Sequence, residues 1–473
     1  MIKEILKKEI KTIFRSKTPY MLVGLLYLLV TVAVTGGYTS YMKTLQDKKR
    51  STQKFEQEWV SQETNPHSAA HFGTYLFKPN TALELIDKGL QDYMGNTYRV
   101  EAHLQHEMNY AAARDNSSEF RFGELTLAFI LQLFVPLMII FLGFSSISKE
   151  KEESTLKIIW AQGANSKQLI WGKLFGVYLT TVMICFPLFL LLIFVPMFIS
   201  TPGNEPWLRI IAMLASYLFF YFLITGIVVW VSARMPSSKA SLQMNLWGWI
   251  ILCILLPRLF AGITDNAHPL PSRNEFNEKI DLAYAEGLEG DQSKKERSEA
   301  FKKELLATYG KDSIENLPIN FEGLSMQLGE DYLSKVYDTN ANEIRNLIER
   351  QNTVFGYLSF LDPVVAIRQL SMGYAGTDYL HHTHFHNSAK QYRDDFIRSL
   401  NMEMAYAEAS KSLKFDYKVG SDFFKDMEVF EYNLPPFQQM YSFYVLPMCS
   451  LLFWGLALMA LIRWGAHLKP DSV

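Results

Sequence analysis

Six apolar runs, at 18–37, 124–147, 169–199, 207–232, 241–263 and 441–463, leave a chain of 473 residues little choice of fold. A helix crosses the hydrocarbon core of a bilayer with about 20 apolar residues, and inside that core each backbone N–H and C=O has to be paired within the structure. The runs predict six transmembrane helices. The first follows a basic start, as a signal peptide does, but no small-residue cleavage site follows it and five more runs do, so it reads as a retained span. Span three is over-long and holds Pro187 and Pro196, where tilt or a kink is expected.

Basic residues set the orientation. Lys17, Lys149, Arg234, Lys239 and Arg463 border one set of turns, which the positive-inside rule places in the cytoplasm with both termini. Residues 1–17 bring Ile2, Ile5, Leu6, Ile10, Ile13 and Phe14 near one helical face and carry six basic side chains, as an interfacial helix on membrane lipid does. The tail 464–473 is then cytoplasmic, and the polar insertions 38–123 and 264–440 are extracytoplasmic. Helical pieces are expected around Met42 to Glu63, Gly95 to Arg114, Asn274 to Tyr309, Gly323 to Arg350 and Asp378 to Leu413. The expected fold class is an all-α integral membrane protein, six transmembrane helices with a mainly helical extracytoplasmic domain built from two insertions, in the inner (plasma) membrane.

Composition narrows the function. The 46 basic and 48 acidic side chains balance, and no basic stripe interleaves with aromatics, so nucleic acid is not an expected partner. Cys185, Cys253 and Cys449 all lie in apolar runs and read as packing residues, not as a disulfide or zinc framework. No Gly-x4-Gly-Lys-Ser/Thr phosphate loop, Gly-x-Ser-x-Gly elbow or His-Glu-x-x-His helix occurs, which argues against an enzyme with its own ATPase site.

Between spans two and three, residues 148–168 pack Lys149, Glu150, Lys151, Glu152 and Glu153 ahead of an amphipathic turn. Ser148 fits an N-cap, the acids fit the first turn, and Gly163 with Asn165 fits a stop, which predicts one short helix. Leu156, Ile159 and Trp160, at i, i+3 and i+4, give it an apolar face for a groove on a partner or on the bilayer surface. A plain chain reversal fits the same periodicity.

The segment PLMIIFLGFSSISKEKEESTLKIIWAQGANSKQLIWGKL resembles the first intracellular loop of type-two ABC transporter permeases, the ABC-2 membrane family. The pattern is a glycine at the span end (Gly143), acidic residues (Glu150 to Glu153), a Ser/Thr-Leu step (Ser154 to Leu156) and Gly-Lys-Leu opening the next span (Gly172 to Leu174). The resemblance covers the six spans and most of the chain. It implies a permease subunit that moves a substrate across or out of the membrane, with the loop seated as a coupling helix on an ABC ATPase dimer. ATP and Mg would then sit on that partner, with no cofactor of this chain's own. Glu150, Glu152 and Glu153 would lie at the rim of the contact and Leu156, Ile159 and Trp160 on its apolar side, Trp160 as the buried anchor. It also implies a second permease copy or paralogue, with a path between the two lined from spans one, two and five. On that analogy Gln132, Gln243, Asn245 and Arg258 are the candidate path residues, although polar residues in spans more often bond across helices.

On this topology nine of ten histidines are extracytoplasmic and only His467 is cytoplasmic. His381, His382, His384 and His386 cluster in one stretch, and His67 with His71, and His103 with His106, are spaced for one helical face. Imidazole is a common zinc or copper ligand, which makes the first four candidate metal ligands. The stretch GTDYLHHTHFH also resembles one in a permease subgroup whose extracytoplasmic insertion is known only as a domain of unknown function, and capping or packing is the commoner role. An extracytoplasmic or outer-membrane partner would suit the outer domain. The competing reading is a membrane-anchored sensor or binding protein for a metal or peptide.

Overall fold

Apolar length sets the first level of structure. The computed structural model describes residues 1–105, 107–108, 125–198 and 206–465. Among these, six helices are long and apolar enough to cross a bilayer: Thr18–Val60, Leu127–Glu152, Ser166–Phe194, Pro206–Arg234, Ser238–Ala267 and Phe437–Trp464, here spans one to six. With a single two-stranded sheet among the described residues, the fold is all-α. Residues 200–205 of the outer turn, His106, and the tail with His467 fall outside the described residues.

Span one continues well past its apolar run. At 1.5 Å per residue its 43 residues measure about 65 Å, twice a hydrocarbon core, so the helix carries on as a stalk. The piece expected near Met42 is thus not a separate helix. Thr31, Thr35 and Thr39 bond back to carbonyls one turn earlier, the last of them across the Gly36-Gly37 pair. At the far end Trp59 packs on Phe396 and Phe424, with ring centroids 4.9 and 4.8 Å away.

In span three Ser166–Phe198 runs as one helix through both prolines. The irregularities lie in spans two and five instead, as π turns at Ile130–Phe134 and Ile251–Leu255, just before Pro136 and Pro257. A proline removes the hydrogen bond to the carbonyl four residues back and clashes with it, and a widened turn relieves both. The turns also expose carbonyls that lipid cannot satisfy, so the chain supplies donors. Tyr221 donates to Leu131 O at 3.0 Å, Trp249 to Leu133 O at 3.1 Å and Arg368 to Cys253 O at 3.3 Å.

The two insertions share one core. The helix Pro66–Phe72 and the antiparallel strands β1 (Thr74–Phe77) and β2 (Thr97–Val100) place Ala69, Leu76, Tyr98 and Val100 against Phe385, Ile397 and Leu400 of the helix Tyr379–Tyr406. Gly95 onward was expected to be helical, but Thr97, Tyr98 and Val100 are residues that favour a pleated surface, and β1 pairs with them. The helix Phe321–Leu358 packs along Tyr379–Tyr406, while Pro363–Ala375 buries Val364, Ile367, Leu370 and Tyr374 in the core of the spans.

Candidate functional site

The loop between spans two and three is built as two short helices, Ser148–Glu152 and Leu156–Ala161, and not as one. Ser154 between them adopts φ 56°, the left-handed region that interrupts a helix. Ser148 is no cap. It is the first helical residue, and its N–H and that of Ile147 both donate to Ser232 Oγ of span four at 3.1 Å. Asn165 is not a stop either: it starts span three, with Gln168 N donating to its Oδ1 at 2.8 Å and its own N–H to Gln168 Oε1 at 3.1 Å.

The apolar face points inward. Leu156 is fully buried and Ile159 nearly so, and Trp160 is half-buried against the same core. The chain's own bundle thus covers Leu156 and Ile159, which leaves them no surface for a partner, and covers Trp160 in part. The outward side carries Ile158, 58 % exposed, with Lys157, Ala161, Glu152 and Glu153. The signal was in the sequence: at 100° per residue, Ile158 has to diverge from any face that holds Leu156 and Ile159.

A buried ion network holds the loop in place. Lys173, 3 % exposed, donates to Glu9 Oε2 at 2.7 Å and to Glu150 Oε1 at 3.0 Å, and Lys8 adds a contact to Glu150 at 3.1 Å. Thr155 bonds the other oxygen of Glu150. Glu150 is thus an internal brace, not a rim charge. The N-terminal helix Ile2–Arg15 buries Ile5, Glu9 and Ile13 and lies close on span three, because a Cβ at Gly172 would come 2.7 Å from Ile5 and one at Gly176 2.7 Å from Glu9. On the other side Lys151 donates to the terminal carbonyls of span four, Ala233 O at 2.5 Å and Met235 O at 3.2 Å. Ser238, at the start of span five, donates to Glu152 at 2.5 Å. Lys149 and Glu153 form an exposed pair. Sequence reading missed Ile158, Glu9 and the role of Lys173.

The candidate path residues do not converge. Gln132 is buried and donates to Tyr217 Oη at 3.0 Å, which meets Ser371 Oγ at 2.9 Å, which donates to Asp87 at 2.5 Å. Asn245 is buried and bonds back to Ser241 O at 2.9 Å. Gln243 and Arg258 are exposed on the outer face of span five.

The four clustered histidines are dispersed among separate partners. His381 Nδ1 pairs with Asp378 at 2.6 Å and its Nε2 lies 3.2 Å from Arg209 Nη1, so both ring nitrogens are engaged. Burial pushes the Asp378 carboxyl up, but its interaction with His381 and the hydrogen bonds from His381 and Tyr444 outweigh it and hold it below its ordinary value. His384 Nδ1 contacts Tyr432 at 3.0 Å, and His386 Nε2 lies 3.5 Å from Tyr337. His382 is half-buried, and desolvation pulls its imidazole down to about 3. The expected four-histidine metal site is thus not assembled on this helix.

Against family models, residues 100–251 match the ABC-2 family transporter protein and residues 277–433 a domain of unknown function (DUF3526). A search of curated proteins found no match. The first match contains the whole loop, its braces Glu150 and Lys173, and spans two to four. Over residues 100–251 the chain therefore matches the model of the ABC-2 transporter permease family, and the domain of unknown function lies C-terminal to that region.

Proposed function

We propose that this permease couples ATP hydrolysis by a separate ABC ATPase dimer to movement of a substrate across or out of the inner membrane, with both termini and the loop in the cytoplasm. The observation that carries the reading is the loop's division of labour. It is braced to four elements through Lys173, Lys8, Ser232 with the Lys151 contacts, and Ser238, while its outer side presents Ile158 between charged neighbours. A force applied at Ile158 would reach spans three, four and five and the N-terminal helix together. An exposed apolar residue ringed by polar ones is also the usual form of a contact anchor.

A second permease copy or paralogue is part of the same proposal. In spans one and five only 17 % and 11 % of the most apolar stretch is buried, and span five leaves Gln243 and Arg258 on its outer face. Arginine costs about 2.5–3.5 kcal/mol at the centre of a lipid-facing helix, a cost that a protein surface would relieve.

The test is stimulated ATPase rate and copurified ATPase subunit in the reconstituted complex. Ile158→Asp is expected to lower both at normal permease levels, and Glu152→Ala to have a smaller, salt-dependent effect. Normal hydrolysis and copurification with Ile158→Asp would reduce the loop to a chain reversal.

A further inference from the structure

One cluster in the outer domain takes no part in the coupling loop. His67 and His71 stand one turn apart on Pro66–Phe72, a helix fixed by Asn65, whose Oδ1 accepts from His67 N at 2.9 Å and whose Nδ2 donates to Tyr417 O at 3.0 Å. Their Nε2 atoms are 3.2 Å apart. Two nitrogens about 2.0–2.1 Å from a tetrahedral zinc ion stand about 3.3 Å apart, so this pair already has the spacing of two zinc ligands.

His103 completes the group from the chain beyond β2. Its ring centroid lies 5.3 Å from that of His67 and 5.1 Å from that of His71, and one ligand atom from each of the three falls within 4.8 Å of the others. His103 adopts φ 62°, a left-handed conformation unusual for a residue other than glycine. Glu330 holds it there, accepting from His103 N at 2.6 Å and from Nδ1 at 2.9 Å. With its hydrogen on Nδ1, His103 keeps the Nε2 lone pair for a ligand role. Glu330 is itself buried and fixed by Arg393 at 2.5 Å, so a carboxylate, a histidine and an open position follow in the order that metal sites use to orient a ligand.

Three histidines also cluster as mere ring neighbours, but simple packing does not require two Nε2 atoms to face each other, nor a carboxylate that fixes the tautomer of the third ring. His67 and His71 come from one segment of the first insertion and His103 from another, while Glu330 and Arg393 come from the second.

We propose that His67, His71 and His103 form a binding site for a divalent transition-metal ion, zinc first, with Glu330 as positioning residue for His103. His71 and His103 are exposed, so the fourth position is open to water or to a ligand group. The ion would fasten the first insertion to the two long helices of the second.

The experiment uses the full chain in detergent, carrying a tag without histidine and stripped with chelator, titrated with cobalt(II) and then with zinc(II). One cobalt per chain is expected, with the intense visible bands of tetrahedral nitrogen coordination, displaced by zinc. His71→Ala and His103→Ala should each abolish the bands, and Glu330→Gln should weaken binding about 10- to 100-fold. His384→Ala, on a different face of the domain, should leave them intact. His71 is exposed, so its variant should keep the parent's metal-free melting curve. Absence of the bands in the parent, or equal cobalt binding by the parent and His71→Ala, would overturn the site.

Discussion

Lys173 shows what a single residue contributes and what a sequence hides. It is buried with Glu9, 164 positions away, and with Glu150 on the loop. Breaking such a pair from one side costs about 3–5 kcal/mol, because the remaining charge stays buried without its partner. Lys173→Ala is expected to lower the melting temperature of the purified permease markedly, and the double variant Lys173→Met with Glu9→Gln to recover much of the loss. A Lys173→Ala protein that melts like the parent would contradict the brace. The Gly172-Lys173-Leu174 pattern was legible as a resemblance, but its chemistry was not, since nothing local indicates that an acid in the N-terminal helix lies against it. Leu156 and Ile158 make the complementary case. Leu156→Ala should cost about 2–5 kcal/mol of stability and Ile158→Ala about 0.5 or less, so a melting series distinguishes the inner face from the outer.

At the scale of elements, apolar length located the six spans, because lipid demands it locally. It did not place the irregularities. Pro187 and Pro196 lie within one continuous helix, and the π turns formed before Pro136 and Pro257, where Tyr221, Trp249 and Arg368 from distant segments supply donors for the released carbonyls. The facing direction of the loop was hidden for a similar reason: periodicity gives an apolar face but not which neighbour covers it. The N-terminal helix was expected on lipid; its Ile5, Glu9 and Ile13 stripe lies on span three, admitted by two glycines, and Ile2 stays exposed. Gly176→Leu would have to enter the space of the Glu9 stem. Spin labels on helix Ile2–Arg15 and span three should report a longer separation in that variant, and an unchanged distance would show that the glycines are incidental.

For the whole molecule, the proposed topology, argued from six spans and the basic residues Lys17, Lys149, Arg234, Lys239 and Arg463, puts both large insertions outside. With Cys449 replaced, cysteines at Ser51 and Ser298 should react with an impermeant thiol reagent from the outer side and one at Ser166 should not; the reverse pattern would invert the topology. The histidines teach a related lesson. Four in one short stretch drew attention, but on one helix they divide between two faces, His381 with His384 and His382 with His386, whereas His103 meets His67 and His71 only through tertiary folding. The central claim is that the loop's outer side meets an ATPase. Its most direct test is a photo-crosslinking amino acid placed at position 158 in cells, and separately at position 387 in the outer domain, with mass spectrometry of the adducts. The account predicts an adduct at 158 with a protein that carries a phosphate-binding loop, and none with that protein at 387. An ATPase adduct at 387, or none at 158 while the complex hydrolyses ATP normally, would contradict it.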